Sequence, residues 1–376
     1  MGVRFVHSAD WQLGMRRRLL DGEAQARFAA ARIEAIATLG ELAAAEGAEL
    51  ILVSGDVFES NQVDRRTVCR ALEMMKTAPV PIYLLPGNHD PLEPGSVYLS
   101  PTFVAAKPEN VHVLDGCTPV EVRAGVELVG APWRSKRPLC DLVVSACDGL
   151  AAAPTGIRIC VAHGIVDRLS PDRDNPALLS AAALHRLVDD GIVHYIALGD
   201  RHSATSVGDS RRIWYSGSPE PTDHDEVSSG RALVVDLDRD ACRVDEHVVG
   251  TWRFVRESFT LRDEADVGRV ERWLADVPDK PRAVAKLTLV GELSLRATAR
   301  LDQVLDAARD LFAAVGVAAA VSDLVVLPDE LDLDALQLSG FAHSAADQLF
   351  ARSAAGPDQA ATDALTLLYR LSAGAP

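Results

Sequence analysis

The sequence has few cysteines, and none of them is spaced as zinc-binding or disulfide-rich proteins require. No C-x-x-C pair occurs, so the usual zinc and disulfide frameworks are excluded. We therefore expect reduced cysteines and a cytoplasmic protein. The six are Cys69, Cys117, Cys140, Cys147, Cys160 and Cys242.

Long apolar runs and an excess of basic residues are also missing. No uninterrupted run is long enough to cross a bilayer, and the N-terminus shows no charged region followed by an apolar core. We therefore expect neither a membrane span nor a secretory signal. Lys and Arg number 38 against 54 Asp and Glu, and the net charge is -16. This balance excludes a protein that coats nucleic acid, but not a nuclease whose carboxylates bind metal ions.

The first half of the chain alternates strand and helix patterns. Short β-branched or Leu-rich runs between Gly, Pro or Asp predict strands, and apolar residues at helical spacing predict helices. This alternation is typical of a parallel or mixed sheet covered by helices. The predicted strands are 3–7, 49–54, 80–85, 157–162 and 193–198, with helices at 23–46, 64–77 and 177–189 and a hairpin at 118–122 and 126–130.

The pattern changes after about residue 210, where consecutive strands are predicted. A smaller β-α-β-like unit follows, then an acidic, turn-rich linker at 328–340. A length of 376 residues allows two domains, and we place the boundary near 250–262. The predicted strands are 212–216, 231–236, 243–249, 252–260, 284–290 and 320–327, with helices at 297–314, 342–353 and 357–373.

Polar side chains follow each of the first five long strands. Because the carboxyl ends of neighbouring parallel strands meet at one edge of a sheet, we expect these side chains to converge on one crevice. Taken singly, Asp10 could cap a turn and His163 could be a core histidine, so the ordered set carries the inference. The set is Asp10 and Gln12, then Asp56, then Asn88, His89 and Asp90, then His163, then Asp200 and His202.

The residue types in this set predict a metal centre. Carboxylate, amide oxygen and imidazole suit manganese, iron or zinc, and no thiolate is among them. Asp56 occupies the middle position, where a carboxylate can bridge two cations. Two ions roughly 3.5–4 Å apart would clamp a phosphate and activate water.

The motifs "DWQ", "GDVFE", "GNHD", "AHG" and "GDRH" resemble those of the calcineurin-like metallophosphoesterases. The usual pattern there is D-x-H, G-D, G-N-H-[DE], a lone His and G-H-x-H. The fuller strings "VHSADWQLG", "SGDVFES", "PVPIYLLPGNHD", "YIALGDRH" and "YSGSPEPTDHDE" are similar to the SbcD branch of DNA-repair exonucleases. The resemblance is strong over about residues 3–225 and weak beyond them.

The resemblance implies a two-metal site. In it, His89 would stabilise the transition state and protonate the leaving oxygen, and Asp90 would orient His89. One metal would be held by Asp10, Gln12, Asp56 and His202, and the second by Asp56, Asn88, His163 and Asp200.

Two positions depart from the family pattern, since Gln12 and Asp200 stand where the family has His. Both replace nitrogen with oxygen, which favours manganese or magnesium over zinc. The same departures leave open a weakly active protein or a non-catalytic scaffold.

Basic clusters near the motifs are candidates for phosphate contact. Arg clusters beside an aromatic such as Trp133 suit a strand of nucleic acid, although a solvated charged face is the alternative for each cluster. The clusters are Arg16, Arg17 and Arg18; Arg134, Lys136 and Arg137; and Arg211 and Arg212.

The resemblance also implies a fold and partners. The fold would be a four-layer α/β sandwich, two mixed sheets flanked by helices, with a smaller α/β capping domain and C-terminal helices. We expect a nuclease domain at 1–260, a capping domain at 261–328, and the acidic linker and helices at 329–376.

The implied activity is exonuclease action on double-strand ends of DNA and endonuclease action on single strands, in DNA repair. We expect manganese as the metal because of the oxygen donors. The implied partners are an SMC-like coiled-coil ATPase of the SbcC type, which the C-terminal helices would bind, and a second copy of the chain. Two alternatives remain open for the helices and the activity. The helices could instead pack on the capping domain, and the substrate could instead be a small or nucleotide phosphodiester.

Overall fold

The computed structural model describes residues 2–153, 155–172, 174–326, 338–355 and 358–372. It divides into two compact units, Met1–Arg17 with Gln25–Trp252, and Arg18–Ala24 with Arg253–Pro376. Most of the predicted acidic linker lies outside the described residues. The three domain limits expected from the sequence stay predictions.

The first unit contains a six-stranded mixed sheet. Its order is β12-β11-β1-β2-β3-β4, with β1 to β4 parallel and β11 antiparallel to both of its neighbours. The strands are β1 (Val3–Ser8), β2 (Leu50–Val53), β3 (Ile82–Leu84), β4 (Val111–Val113), β11 (Arg231–Leu237) and β12 (Cys242–Val248).

A second six-stranded mixed sheet packs against the first. Its order is β5-β6-β7-β8-β10-β9, with β6, β7, β8 and β10 parallel and the two edge strands antiparallel. The strands are β5 (Val120–Arg123), β6 (Val126–Ala131), β7 (Ile157–His163), β8 (Tyr195–Gly199), β9 (Thr205–Ser206) and β10 (Ile213–Tyr215).

Helices cover the outer face of each sheet. Leu39 and Leu72 are among the apolar side chains that pack one layer of helices on the first sheet. Leu184 packs in the same way between the second helical layer and the second sheet. Between the sheets, Phe5 of β1 packs in one core with Ile159 of β7. The predicted four-layer α/β sandwich is therefore confirmed. The helices are α1 (Gly22–Glu46), α2 (Arg65–Met75), α3 (Pro101–Ala106), α4 (Leu142–Cys147) and α5 (Ala181–Asp189).

The second unit is a smaller parallel α/β structure. Its central strand β14 pairs with β13, β15 and β16, and α6 and α7 pack on the sheet. In the two C-terminal helices, Ala346 and Leu365 pack against Leu295 of α7. The elements are β13 (Arg253–Leu261), α6 (Glu264–Asp276), β14 (Ala283–Leu293), α7 (Leu295–Arg309), β15 (Ala314–Val317), β16 (Asp323–Val326), α8 (Phe341–Ala355) and α9 (Gln359–Ser372).

This unit differs from the sequence-based expectation in two places. Helix α6 was not predicted, although Asp263 caps its N-terminus by accepting from the amide of Asp266. The helix predicted to reach residue 314 ends at Arg309. The Ala313 amide instead donates to the carbonyls of Lys280 and Ala283, which brings the chain into β15. Sheet pairing thus overrides the helix propensity of an Ala-rich segment.

Candidate metal centre

The polar side chains that follow the five strands lie close together in the first unit. Asp10, Asp56 and His163 are all buried, and each offers a ligand atom within 4.8 Å of the others. Asp10 and Asp56 follow β1 and β2 of the first sheet, whereas His163 ends β7 of the second. The crevice therefore forms where the carboxyl ends of strands from both sheets meet.

The backbone at this edge adopts a conformation that non-glycine residues rarely take. The φ angles are 54° at Asp10, 44° at Gln12, 52° at Asp56 and 94° at Asp200. Backbone hydrogen bonds hold the turns, since the Asp10 amide donates to Gly55 at 3.0 Å and the Gln12 amide to Asp56 at 2.9 Å. Such strain concentrates at functional sites because the surrounding structure must impose it.

Glycines allow the close approach of these groups. A Cβ atom on Gly87 would lie 2.2 Å from Oδ1 of Asp56, and one on Gly55 would lie 2.1 Å from Nδ1 of His163. Any larger residue at either position would displace a side chain of the predicted ligand set.

His163 lies at the centre of a group of oxygen atoms. Its Nδ1 donates to the carbonyl of Ser54 at 2.8 Å, so Nε2 is the nitrogen that faces the crevice. Nε2 lies 2.7 Å from Oδ1 of Asn88, 3.4 Å from Oδ2 of Asp56 and 3.7 Å from Oδ1 of Asp200. Burial opposes protonation of His163, but the charge of Asp56 outweighs it and the pKa lies well above its usual value. The arrangement thus favours a positive charge at this point.

His202 is fixed from the opposite side of the crevice. Its Nδ1 lies 3.0 Å from Oε1 of Glu226 and 2.8 Å from the Thr222 hydroxyl. Burial lowers the pKa of His202, but the hydrogen bond to Glu226 and the charge of Asp10 raise it to about 9. Nε2 faces the crevice, 3.8 Å from Oδ1 of Asp10 and 3.4 Å from Nε2 of Gln12. In metal sites, a carboxylate commonly accepts a hydrogen bond from the ring nitrogen that does not bind the metal and so orients the histidine, as Glu226 does here at Nδ1.

Gln12 provides a test of whether this donor set fits a cation. Its Oε1 is buried and has no hydrogen-bond partner among the described residues. An unsatisfied buried acceptor costs about 1–3 kcal/mol, and a cation would satisfy it. Burial also raises the pKa of Asp10 to about 7, so its carboxylate too lacks full compensation. The buried carboxylates, amide oxygens and imidazoles therefore fit divalent metal ions.

His89 and Asp90 lie at the crevice in different environments. His89 is partly exposed, and its Nδ1 donates to the carbonyl of Glu59 at 2.9 Å. Its Nε2 lies 3.9 Å from Oδ2 of Asp56. The buried Asp90 carboxylate accepts from three other groups, the Gly87 and Phe58 amides and the Tyr98 hydroxyl.

The expected role of Asp90 as the residue that orients His89 stays a prediction, and in this structure such an effect would act through the backbone. Glu59 holds the ring through its carbonyl, whereas Asp90 acts on the backbone of the turn that carries Asn88 and His89. The physical reason is burial, because Asp90 points into the core and His89 points into the crevice.

Several contacts around the crevice were not predicted from the sequence. Glu59 lies inside the quoted motif "GDVFE" and lines a cavity of about 430 Å³ with Asn88 and His89. Trp133 donates from Nε1 to the carbonyl of His163 at 2.7 Å, and the Tyr215 hydroxyl donates to that of Gly164 at 2.8 Å. Glu226 is the last residue of the motif "YSGSPEPTDHDE", but only the tertiary structure shows its contact with His202.

The basic candidates are dispersed. Lys136 lines the 430 Å³ cavity. Arg17 lines an adjacent cavity with Gln12 and His202 and is paired with Asp223 at 2.7 Å. Arg134 donates to the carbonyl of Asp115. Arg16, Arg18, Arg137 and Arg211 are exposed, and Arg212 donates to the carbonyls of His194 and Asp238.

Comparisons with known proteins give a curated relative and several solved structures. The SbcD subunit of the nuclease SbcCD from Rhodobacter capsulatus is 26% identical over 269 residues, which are 60% of this chain and 64% of that protein. The chain thus spans less than two thirds of that relative. A dimetal phosphatase from Danio rerio is 13% identical with a TM-score of 0.41, covering 64% of this chain and 98% of that one. A 5'-nucleotidase precursor from Thermus thermophilus is 14% identical with a TM-score of 0.39, covering 66% and 54%.

A family model decides the assignment. The model of the calcineurin-like phosphoesterases matches residues 3–203, which include every predicted metal ligand. The match spans more than half of the chain, and the donor set described above is of the kind that metal-dependent phosphoester hydrolysis uses. The chain therefore belongs to the calcineurin-like phosphoesterase family.

Proposed function

We propose that the chain is a metal-dependent nuclease that hydrolyses phosphodiester bonds in DNA. The observation that carries the hydrolytic part is the convergence of Asp10, Asp56 and His163 within 4.8 Å. Nuclease specificity draws on the relative, which is named as part of a nuclease. We propose exonuclease action on double-strand ends and endonuclease action on single strands.

Two groups of side chains would hold two divalent ions, with Asp56 common to both. Such ions, when bound, neutralise phosphoryl charge and lower the pKa of water. The many oxygen donors favour manganese or magnesium, with iron and zinc less suited. The first group is Asp10, Gln12, Asp56 and His202, and the second is Asp56, Asn88, His163 and Asp200.

His89 is proposed as the residue that contacts the reacting phosphate. Since its Nδ1 donates to Glu59, Nε2 is the atom available to a phosphoryl or leaving oxygen. From there it would stabilise developing charge and protonate the leaving oxygen. Asp90 would act as a positioning residue, because its carboxylate holds the Gly87 amide at 2.8 Å.

Basic residues around the crevice would bind the DNA backbone. Lys136 is the best placed, because it lines the cavity that also contains Asn88 and His89. Arg17 lies beside the first group, whereas Arg16, Arg134 and Arg137 would contact more distant phosphates. The net charge of -16 makes such local contacts necessary for binding a polyanion.

A role in DNA repair with an SMC-like ATPase completes the proposal. The C-terminal helices pack on α7, which supports the alternative of internal packing, yet Leu367 and Leu371 stay exposed and could bind a coiled coil.

No helix in the described residues is long and apolar enough to cross a membrane. All six cysteines are free. A homodimer, a cytoplasmic location and the domain limits 1–260, 261–328 and 329–376 belong to the same proposal.

A phosphodiesterase for small or nucleotide substrates is the second candidate. The cavity lined by Glu59, Asn88 and His89 has a volume of about 430 Å³, which suits a single nucleotide. The carboxylate of Glu59 at the cavity would also disfavour a long polyanion.

The test compares substrates and variants of the full chain in manganese. A labelled duplex, a single-stranded circle, bis-para-nitrophenyl phosphate and cyclic nucleotides are assayed before and after chelation. We expect DNA cleavage that chelation abolishes, a loss of roughly 10²–10⁴-fold in His89→Ala, and complete loss in Asp56→Ala. His247→Ala on β12 is the matched control and should retain full activity.

Cleavage that survives in Asp56→Ala would refute the assignment of the bridging carboxylate. Turnover of cyclic nucleotides without DNA cleavage supports the second candidate. A chain that binds manganese but hydrolyses none of the four substrates would be a scaffold.

A further inference from the structure

We infer that Arg32 is a positioning residue for the half of the candidate metal centre formed by Asp10, Gln12 and His202. The inference depends on the proposed function in one respect only, which is the identity of the two metal ions. Arg32 lies on α1, outside every sequence motif, and is among the largest fully buried side chains of the protein. An arginine is almost never buried without a specific set of partners.

The guanidinium joins two loops that carry this half of the site. Nη1 donates to the carbonyl of Trp11 at 2.9 Å, and Nη2 donates to that of Pro221 at 3.0 Å and that of Glu220 at 3.4 Å. Trp11 lies between Asp10 and Gln12, and its carbonyl belongs to the peptide that leads into Gln12.

The second loop leads directly to the partners of His202. Pro221 precedes Thr222, whose hydroxyl contacts Nδ1 of His202 and also donates to Glu226. Glu226 in turn holds Nδ1 of His202 at 3.0 Å. The guanidinium group of Arg32 on α1 thus sets the separation between the loop that carries Gln12 and the loop that orients His202.

The same contact supports the strained backbone at Gln12. Its φ of 44° requires the preceding peptide to be held in one orientation. The Gln12 amide is fixed by Asp56, and the Trp11 carbonyl is fixed by Arg32. Release of the carbonyl would allow the turn to relax and would move the side-chain amide of Gln12 away from Nε2 of His202.

The environment of Arg32 keeps it charged and makes lysine a poor substitute. Its guanidinium carbon lies 4.6 Å from the centre of the Phe28 ring. Burial lowers its pKa to about 10, partly offset by the charges of Glu220, Glu226 and Glu59. The cation therefore persists at neutral pH. The planar guanidinium of arginine can donate hydrogen bonds to two loops at once, whereas the compact ammonium group of lysine cannot span both.

The other half of the site is anchored by different groups. His163 is held by the Ser54 carbonyl and by Trp133. Loss of Arg32 should therefore affect the two ion-binding groups unequally, which a general loss of stability would not do.

The experiment measures manganese binding to the full chain in the absence of DNA, by calorimetry and by electron paramagnetic resonance. The wild type should bind two ions. In Arg32→Lys, one affinity should fall roughly 10–100-fold and the other should stay within twofold.

Arg158→Lys is the matched control. Arg158 is also buried, and its Nη1 donates to the carbonyls of Ala151 and Ile192 at 2.8 Å, at the opposite end of β7 from His163. It should lose thermal stability like Arg32→Lys while both ions bind as in the wild type. If Arg32→Lys does not fold, Arg32→Gln retains a donor for one carbonyl and should show the same inequality.

Equal weakening of both ions, or no weakening, in the folded Arg32 variants would overturn the inference and leave the proposed function intact. A wild-type chain that binds no manganese would instead overturn the metal centre itself. DNA cleavage plays no part in either result.

Discussion

The two halves of the candidate metal centre are held in different ways. In the half with Asn88 and His163, neutral core groups fix His163, since the Ser54 carbonyl accepts from its Nδ1 and Trp133 donates to its carbonyl, whereas the Asp90 carboxylate holds the turn before Asn88. In the half with Gln12 and His202, charged side chains do this work, since Glu226 holds His202 and Arg32 holds the loop before Gln12.

The difference follows from where each half lies in the sandwich. His163 ends a central strand between β6 and β8, so the core that surrounds it provides rigid carbonyl and indole partners. Gln12 and Glu226 lie on loops, whose orientation depends on a few charge-assisted bonds. We infer that the half with His163 is the more rigid and that the half with His202 is easier to perturb without unfolding the protein.

Deletion of one amide in each half should give the largest contrast. Oδ1 of Asn88 lies 2.7 Å from Nε2 of His163, whereas Oε1 of Gln12 has no partner among the described residues. We expect Asn88→Ala to lower kcat/KM for bis-para-nitrophenyl phosphate roughly 100-fold and Gln12→Ala roughly tenfold. Steady-state kinetics in manganese check this, and a larger loss in Gln12→Ala would reverse the comparison.

Replacement of Gln12 and Asp200 by histidine should change the preference for zinc over manganese, with an effect between those of the other two predictions. Gln12→His and Asp200→His each replace an oxygen donor with imidazole, which suits zinc better than manganese. The ratio of zinc-supported to manganese-supported turnover should rise by about an order of magnitude in the double variant. Each single variant serves as the control for the other. An unchanged ratio would show that neither side chain reaches the ions.

Removal of one core hydroxyl should have the smallest effect on activity. Tyr215 donates to the Gly164 carbonyl at 2.8 Å and accepts from the Val166 amide at 2.9 Å. Tyr215→Phe leaves both groups unsatisfied, at a cost of about 1–3 kcal/mol in the free energy of unfolding.

Thermal denaturation should show a lower Tm for Tyr215→Phe, by roughly 2–4 °C per kcal/mol. Turnover should stay within a few-fold of the wild type, because the remaining core partners still hold His163. A large loss of activity without loss of Tm would show that the half with His163 is less rigid than we infer.

The first unit was largely predictable because its signals are local. Each buried strand is a short apolar run ended by Gly, Pro or Asp, and the residues that follow the strands form the crevice. The second unit was harder to predict. The pairing of Ala314–Val317 with β14 ended a helix that the Ala-rich sequence would have continued.

The sequence by itself determined a sheet covered by helices and the chemical class of the residues at the strand ends, because strand length, turn residues and side-chain type are local properties of the chain. The four-layer arrangement was expected only from the family resemblance. Only the tertiary structure decided which groups hold those residues. It brought the Glu59 carbonyl to the ring of His89. It also brought Arg32 to loops more than 180 residues apart in sequence. These contacts depend on packing between distant segments, and no periodicity or motif in a single segment records such packing.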